Sequence, residues 1–337
     1  MNGRIYSSGT IILFFSLFAN VFFSRHALYA EQGAYVFSTS VSVGFLYGQS
    51  EEIVYKNSAG DYLSQLLWDM KPLFYYGYAL NFERSKPLRQ AGFFTNLSVK
   101  YGAPSNTGVM EDRDWQDKRD HRLTNFSRHD NFTETMLLFN FKAGCSFPVF
   151  RVVALKVYGL LSFMDFSWDS FNGYAQYVPD PDNDKLYDGE WSDSIPKEYF
   201  TGRIITYDQT WIVFGAGFSL TLPVALPPGV LEVGLSFDIS PFIRGVGIDN
   251  HWLRSLQFND YLSGGVFLEP GLFVDFSFRR RIALALSTSW RLLLNTLGDT
   301  YIYSKFQDSQ YLERVNLNSG GAGLSFFDAG LSISITL

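Results

Sequence analysis

The chain has 337 residues, with 33 Phe, 20 Tyr and 7 Trp; charged residues make up 18% and mean hydropathy is zero, which excludes a disordered or strongly polar domain. The formal net charge is −6 and no basic run is clustered, so nucleic acid is not expected as a partner. A single cysteine, Cys145, excludes an intrachain disulfide framework and a cysteine-rich metal site.

Residues 1–30 carry Arg4, an apolar run from Ile11 to Phe23, and small residues ending at Ala30, the layout of a secretory signal peptide. The alternative is a membrane anchor, but the run falls short of the ~20 residues that a spanning helix needs. Cleavage after Ala30 leaves residues 31–337 with 25 basic and 33 acidic residues, net −8, and three histidines. Beyond residue 30 no apolar segment is long enough for a transmembrane helix, so membrane insertion requires a closed barrel.

From Ala34 to Gly48 the odd positions Tyr35, Phe37, Val41, Val43, Phe45 and Tyr47 alternate with Ser38, Ser40, Ser42 and Gly44, which is the period of a strand. Next, Leu66, Trp68, Met70, Phe74, Tyr76, Tyr78, Leu80 and Phe82 are expected on one face, opposite Gln65, Asp69, Lys71, Asn81 and Glu83. Similar alternation marks 93–101, 133–141, 231–239, 268–278, 282–290 and the last residues through Leu337. Four tight junctions, at 85–87, 147–148, 223–229 and 279–281, alternate with five polar stretches expected as loops, at 49–63, 102–131, 169–203, 245–260 and 295–321. Ten strands with short turns on one side and long loops on the other predict an all-β, ten-stranded antiparallel transmembrane β-barrel with long extracellular loops, apolar outside and polar inside. The outward face accounts for the aromatic excess. A secreted β-sandwich is the competing fold, but its strands are usually shorter.

All three remaining histidines, His121, His129 and His251, fall in two of the polar stretches. Extended backbone puts Asp249 and His251 on one face, where the carboxylate can fix the imidazole tautomer and stabilise its charged form. Asp112 and Asp114 have the same spacing, and two carboxylates so close can share a proton. Taken alone, Asp-x-Asp is usually a solvated turn and Asp-x-His usually an incidental pair. Parity adds a condition. Counted from Leu231, odd positions face lipid, so Asp249 and His251 turn inward only if a one-residue bulge sits at Ser240–Pro241, leaving Phe242, Val246 and Ile248 outside.

These residues resemble the omptin proteases of Gram-negative outer membranes. Glu52-Ile-Val-Tyr55 and Ser64 to Trp68 are similar to the family's first loop, Gly108 to Asp117 to its acidic motif, Ser127-Arg128-His129 follows at nearly the family spacing, and Asp249-Asn250-His251 matches its Asp-x-His pair. Gly298 to Tyr303 and Asn318 to Gly323 add to the likeness. The resemblance implies an outer-membrane endopeptidase with its groove at the extracellular rim and peptide or protein substrates. His251, oriented by Asp249, takes a proton from water while Asp112 and Asp114 hold that water, with no metal, cofactor or covalent intermediate. It further implies substrate contacts at Glu52, Met110, Asn125 and Gly247. Two of these depart from the family, because Asn125 and Gly247 stand where acids line the specificity pockets, so looser specificity or a single basic residue beside an apolar one is expected. Outer-membrane lipid is the other implied partner, and a lipid requirement for activity is left open, since no Lys or Arg occurs between Lys156 and Lys185. A catalytically silent barrel acting as an adhesin or receptor is the competing function. A passive porin is disfavoured because ten strands leave little lumen.

Overall fold

Among the described residues, alternation of apolar and polar side chains gives thirteen strands: β1 Tyr35–Tyr55, β2 Tyr62–Arg84, β3 Gly92–Gly102, β4 Ser105–Asp114, β5 Asn125–Val149, β6 Val153–Tyr177, β7 Glu198–Tyr199, β8 Arg203–Leu226, β9 Gly229–His251, β10 Leu256–Ser263, β11 Val266–Phe278, β12 Ile282–Phe306 and β13 Ser309–Thr336. The computed structural model describes residues 35–56, 61–84, 91–117, 121–149, 153–180, 187–278, 281–306 and 309–337. The expected signal peptide, residues 1–30, lies outside them.

All strand pairs are antiparallel, and the ring closes because β1 pairs with both β2 and β13. β3 and β4 share one place between β2 and β5, and β10 and β11 share one between β9 and β12. With the two-residue β7 set aside as an appendage of β6, the ring therefore has ten staves, as the sequence predicts. Exposed large apolar side chains, such as Val41, Val43, Tyr76, Leu222, Leu235, Leu284 and Ile333, crowd the halves nearest the short turns, and this is the lipid-facing band. About ten residues suffice to cross a bilayer. The 25-residue β5 and β6 thus extend well beyond it.

That height corrects the expected loops. Most described residues of the five polar stretches are strand, and those left outside the strands are chiefly 115–117, 121–124, 178–180, 187–197, 200–202 and 252–255. Polar residues that alternate around a barrel standing in water look like loop in a sequence, because both faces lack the lipid signature.

Two prolines reset the inside–outside phase. Phe214 pairs with Phe242 but Ala216 with Ile239, which leaves one extra residue on β9 at Ser240–Pro241, the expected bulge. Phe242 is 70% exposed, while Ile243, Gly245, Gly247 and Asp249 are buried. A second bulge, at Lys71–Pro72, lies where Gly48 pairs with Met70 but Leu46 with Leu73. It corrects the single face expected for β2: Leu66, Trp68 and Met70 point inward, whereas Phe74 and Tyr76 point outward. Proline brings no N–H to the ladder, so the strand must shift around it.

The lumen has two zones. Inside the membrane band, four inward ion pairs are seen among the described residues: Lys142 with Asp238 at 2.6 Å, Arg291 with Glu269 at 2.7 Å, Lys156 with Glu83 at 2.9 Å, and Lys100 with Asp328. Above them lies an apolar layer, contrary to the uniformly polar interior expected. Trp68, Phe166, Trp168, Tyr207, Trp211, Phe267 and Phe326 are fully buried and contributed by staves all around the ring. Trp168 stacks on Phe166 at 5.2 Å, and Trp68 on Tyr207 at 5.6 Å. Part of the aromatic excess is therefore internal packing rather than lipid contact.

Candidate active site

Above the aromatic layer, the upper halves of β1, β4, β9 and β10 turn acidic side chains inward. The β9 bulge sets the phase that carries Gly247, Asp249 and His251 into the lumen. His251 Nε2 lies 2.6 Å from Asp249 Oδ2. Asp249 is buried, and its Oδ1 has no partner among the described residues. Phe258 packs edge-on against the imidazole at 5.1 Å. Burial pulls the His251 pKa down, but the Asp249 charge and hydrogen bond, aided by Asp112 and opposed by Arg254, leave it above the ordinary imidazole value.

Facing this pair are Asp112 and Asp114, side by side on β4. Asp112 accepts a hydrogen bond from Ser64 at 3.1 Å, and Asp114 accepts one from Asn125 at 3.4 Å. Burial and the neighbouring Asp114 charge push Asp112 up to about 8, against the pull of His251, Arg254 and Ser64. Burial also raises Asp114, opposed by Ser64, Arg254, Asn125 and His251. Each dyad thus feels the charge of the other across the lumen. With Asp112 near 8, the Asp pair keeps a proton at neutral pH.

Below and beside them sits a second acidic set. Glu52 and Asp260 are each 2% exposed. Glu52 is raised by burial and by the charges of Asp249, Asp260 and Asp112, while Asp260 is pushed up to about 7 by burial and by Asp249, despite its hydrogen bond from Thr300. Tyr207 roofs the aromatic layer beneath them, and burial together with Glu52 and Asp260 keeps its phenol neutral. A Cβ on Gly247 would meet the Tyr207 hydroxyl at 3.0 Å.

A model described as the omptin family matches residues 33–336. The chain belongs to the omptin family. It is 24% identical over 256 residues to the plasminogen activator of Yersinia pestis, covering 71% of each. It superposes on the crystal structure of the outer membrane protease OmpT from Escherichia coli with a TM-score of 0.77 at 16% identity, covering 90% of this chain and 97% of that one, a likeness of fold. This omptin is therefore an outer-membrane peptidase whose site opens on the extracellular side.

Among the other sequence candidates in this omptin, Asn125 is buried beside Asp114, and Met110 lies in the apolar layer, paired across strands with His129. His129 Nε2 is 3.0 Å from Ser127 Oγ while its Nδ1 meets the Asn172 carbonyl, and burial lowers its pKa, so it is held neutral as a packing element. His121 stacks on Trp115 at 6.3 Å, in the β4–β5 connection. Sequence reasoning gives Ser64 no role at the site and does not single out Arg254 or Asp260. Arg254 lies three residues after His251, in the tight β9–β10 turn that brings its charge back over the site. Asp260 was legible only through pairing, since it stands directly across the ladder from Gly247.

Proposed function

We propose that this omptin is an endopeptidase that activates a water molecule at His251. An ionised carboxylate only accepts hydrogen bonds, so Asp249 selects the tautomer with the proton on Nε2 and leaves the Nδ1 lone pair free. Nδ1 takes a proton from water as its oxygen adds to the scissile carbonyl, and Asp249 stabilises the imidazolium that forms. Protonated Asp112, beside Asp114, donates a hydrogen bond to the developing oxyanion, and Arg254 adds positive charge nearby. His251 then returns the proton to the leaving nitrogen as the C–N bond breaks. No enzyme–substrate bond forms at any step.

The observation that carries this reading is the 2.6 Å Asp249–His251 contact facing a carboxylate pair that retains a proton. The mature chain, folded in detergent, is incubated with a mixed peptide library alongside His251→Ala and Asp112→Asn, and products are read by mass spectrometry. Cleavage by wild type and strong loss in both variants is expected. No cleavage by wild type, or equal cleavage by all three, removes the mechanism and leaves the silent receptor.

A further inference from the structure

Asn250 stands between Asp249 and His251 in the chain, and none of the steps above uses it. In β9 its side chain points to the outer wall, since its two neighbours point into the lumen. One register row crosses that wall: Asp169 on β6, Thr206 on β8, Asn250, Gln257 on β10 and Tyr303 on β12. Residues directly opposite one another share a face. The row therefore runs behind the dyad, between the inner rows that carry Asp249 and His251. Although it faces away from the lumen, Asn250 is 9% exposed. Both ends of its amide are taken: Nδ2 donates to Thr206 Oγ1 at 3.1 Å, and Oδ1 accepts from Lys305 Nζ. An ammonium only donates, so Lys305 fixes which way the amide points.

The chain beyond His251 is tied down from the same side. Trp252 N–H donates to the Ile204 carbonyl at 3.0 Å, and Lys305 N–H donates to the Ser255 carbonyl at 2.8 Å. Strands β8 and β12 thus hold the two ends of the turn at 252–255. The Arg203 guanidinium and the Lys305 ammonium each lie 5.6 Å from the centre of the half-exposed Trp252 ring. Aromatic faces attract cations, and Arg203 is itself fixed by Asp169 at 2.5 Å. Inside the lumen the dyad has little to brace it. Asp249 Oδ1 has no partner among the described residues, and His251 meets the Asp249 carboxylate and the edge of Phe258. A catalytic pair holds its geometry when a surrounding shell locks it, and here that shell lies on the outer wall.

Resting on the reading of His251 as the base, we infer that Asn250 and Trp252 are positioning residues. Thr206, Lys305 and Arg203 grip them from outside, on either side of His251, and so fix the angle at which the imidazole meets Asp249. The Asn250 side chain lies on the opposite face of β9 from the dyad, so its effect runs through the backbone.

The experiment follows the imidazole itself. The full mature protein in detergent, labelled with ¹⁵N-histidine, carries three histidines, and the His251 signal is assigned by its loss in His251→Ala. Its titration is recorded by NMR in wild type, Asn250→Ala, Trp252→Ala and Trp252→Phe, with kcat and KM measured on a quenched-fluorescence peptide. The charges that face the imidazole are Asp249, Asp112 and Arg254, and none of these substitutions alters a charge, so a shift reports geometry. In both alanine variants His251 is expected to titrate lower, toward the ordinary imidazole value, as its contact with Asp249 loosens. There kcat should fall about ten- to a hundredfold with KM little changed. An unchanged His129 signal shows that the barrel is intact, and two separate variants keep a folding defect in one from deciding the outcome. Trp252→Phe, which keeps a ring beside the two cations, should behave as wild type. A His251 titration that stays at its wild-type position in both alanine variants overturns the clamp, whatever happens to kcat. Trp252→Phe matching Trp252→Ala overturns the part given to the ring. The expected shift in a protein whose wild type cleaves nothing keeps the clamp and overturns the protease reading alone.

Discussion

Replacing Asp249 by Asn removes one charge while keeping the shape of a buried side chain that touches His251 at 2.6 Å. Imidazolium and carboxylate about 4 Å apart attract by ~4 kcal/mol at an effective dielectric of ~20. At ~1.36 kcal/mol per decade this corresponds to roughly three decades in the rate of a step that creates the imidazolium. An amide can also accept from, or donate to, the ring, so the tautomer is no longer selected, a loss in the same direction. Stopped assays on a quenched-fluorescence peptide, run from pH 5 to 9, should show kcat/KM down about a thousandfold. The acid limb should move to lower pH, because the charge that raises His251 is gone. A loss below tenfold, or an acid limb that stays where it was in wild type, refutes the role given to Asp249.

The wild-type profile should be bell-shaped: activity falls in acid as His251 is protonated, at a pH above the ordinary imidazole value, and falls in alkali as Asp112 loses its proton near 8. In Asp112→Asn the residual activity should lack the alkaline limb; its persistence assigns that limb to another group. In the membrane half, Glu269→Gln leaves Arg291 buried with its countercharge gone, which should cost about 3 to 5 kcal/mol of stability in urea unfolding from detergent. A change below 1 kcal/mol would mean that the pair contributes little to the barrel.

The ring of ten staves was legible because lipid imposes a strict alternation on one face, as in β1, where the odd residues Val41 and Val43 are exposed and Leu46, Ser50 and Glu52 are buried. Above the membrane that constraint lapses, and strand reads as loop. Pro241 could be read as a bulge because Asp249 and His251 demanded an inward phase. Pro72 carries no such demand in the sequence, and its bulge shows only in the burial of Leu73 and Tyr75. The same reason hid the aromatic layer: Trp68 and Phe74 look alike as even-numbered apolar residues, and just the bulge between them separates packing from lipid contact. Asp112, Asp114, Asp249 and His251 stood out through their spacing of two. Asp260 did not, because its partner is next to it in space and thirteen residues away along the chain.

Trp68, Trp168, Tyr207 and Phe326 belong to one stacked, fully buried layer beneath the acids. The acids above this layer lie on the side open to the outside medium, where protons they take up or release are exchanged. On the proposed mechanism the His251 and Asp112 groups then titrate with the surroundings of the cell, so the pH of the niche, rather than that of the envelope, sets the rate.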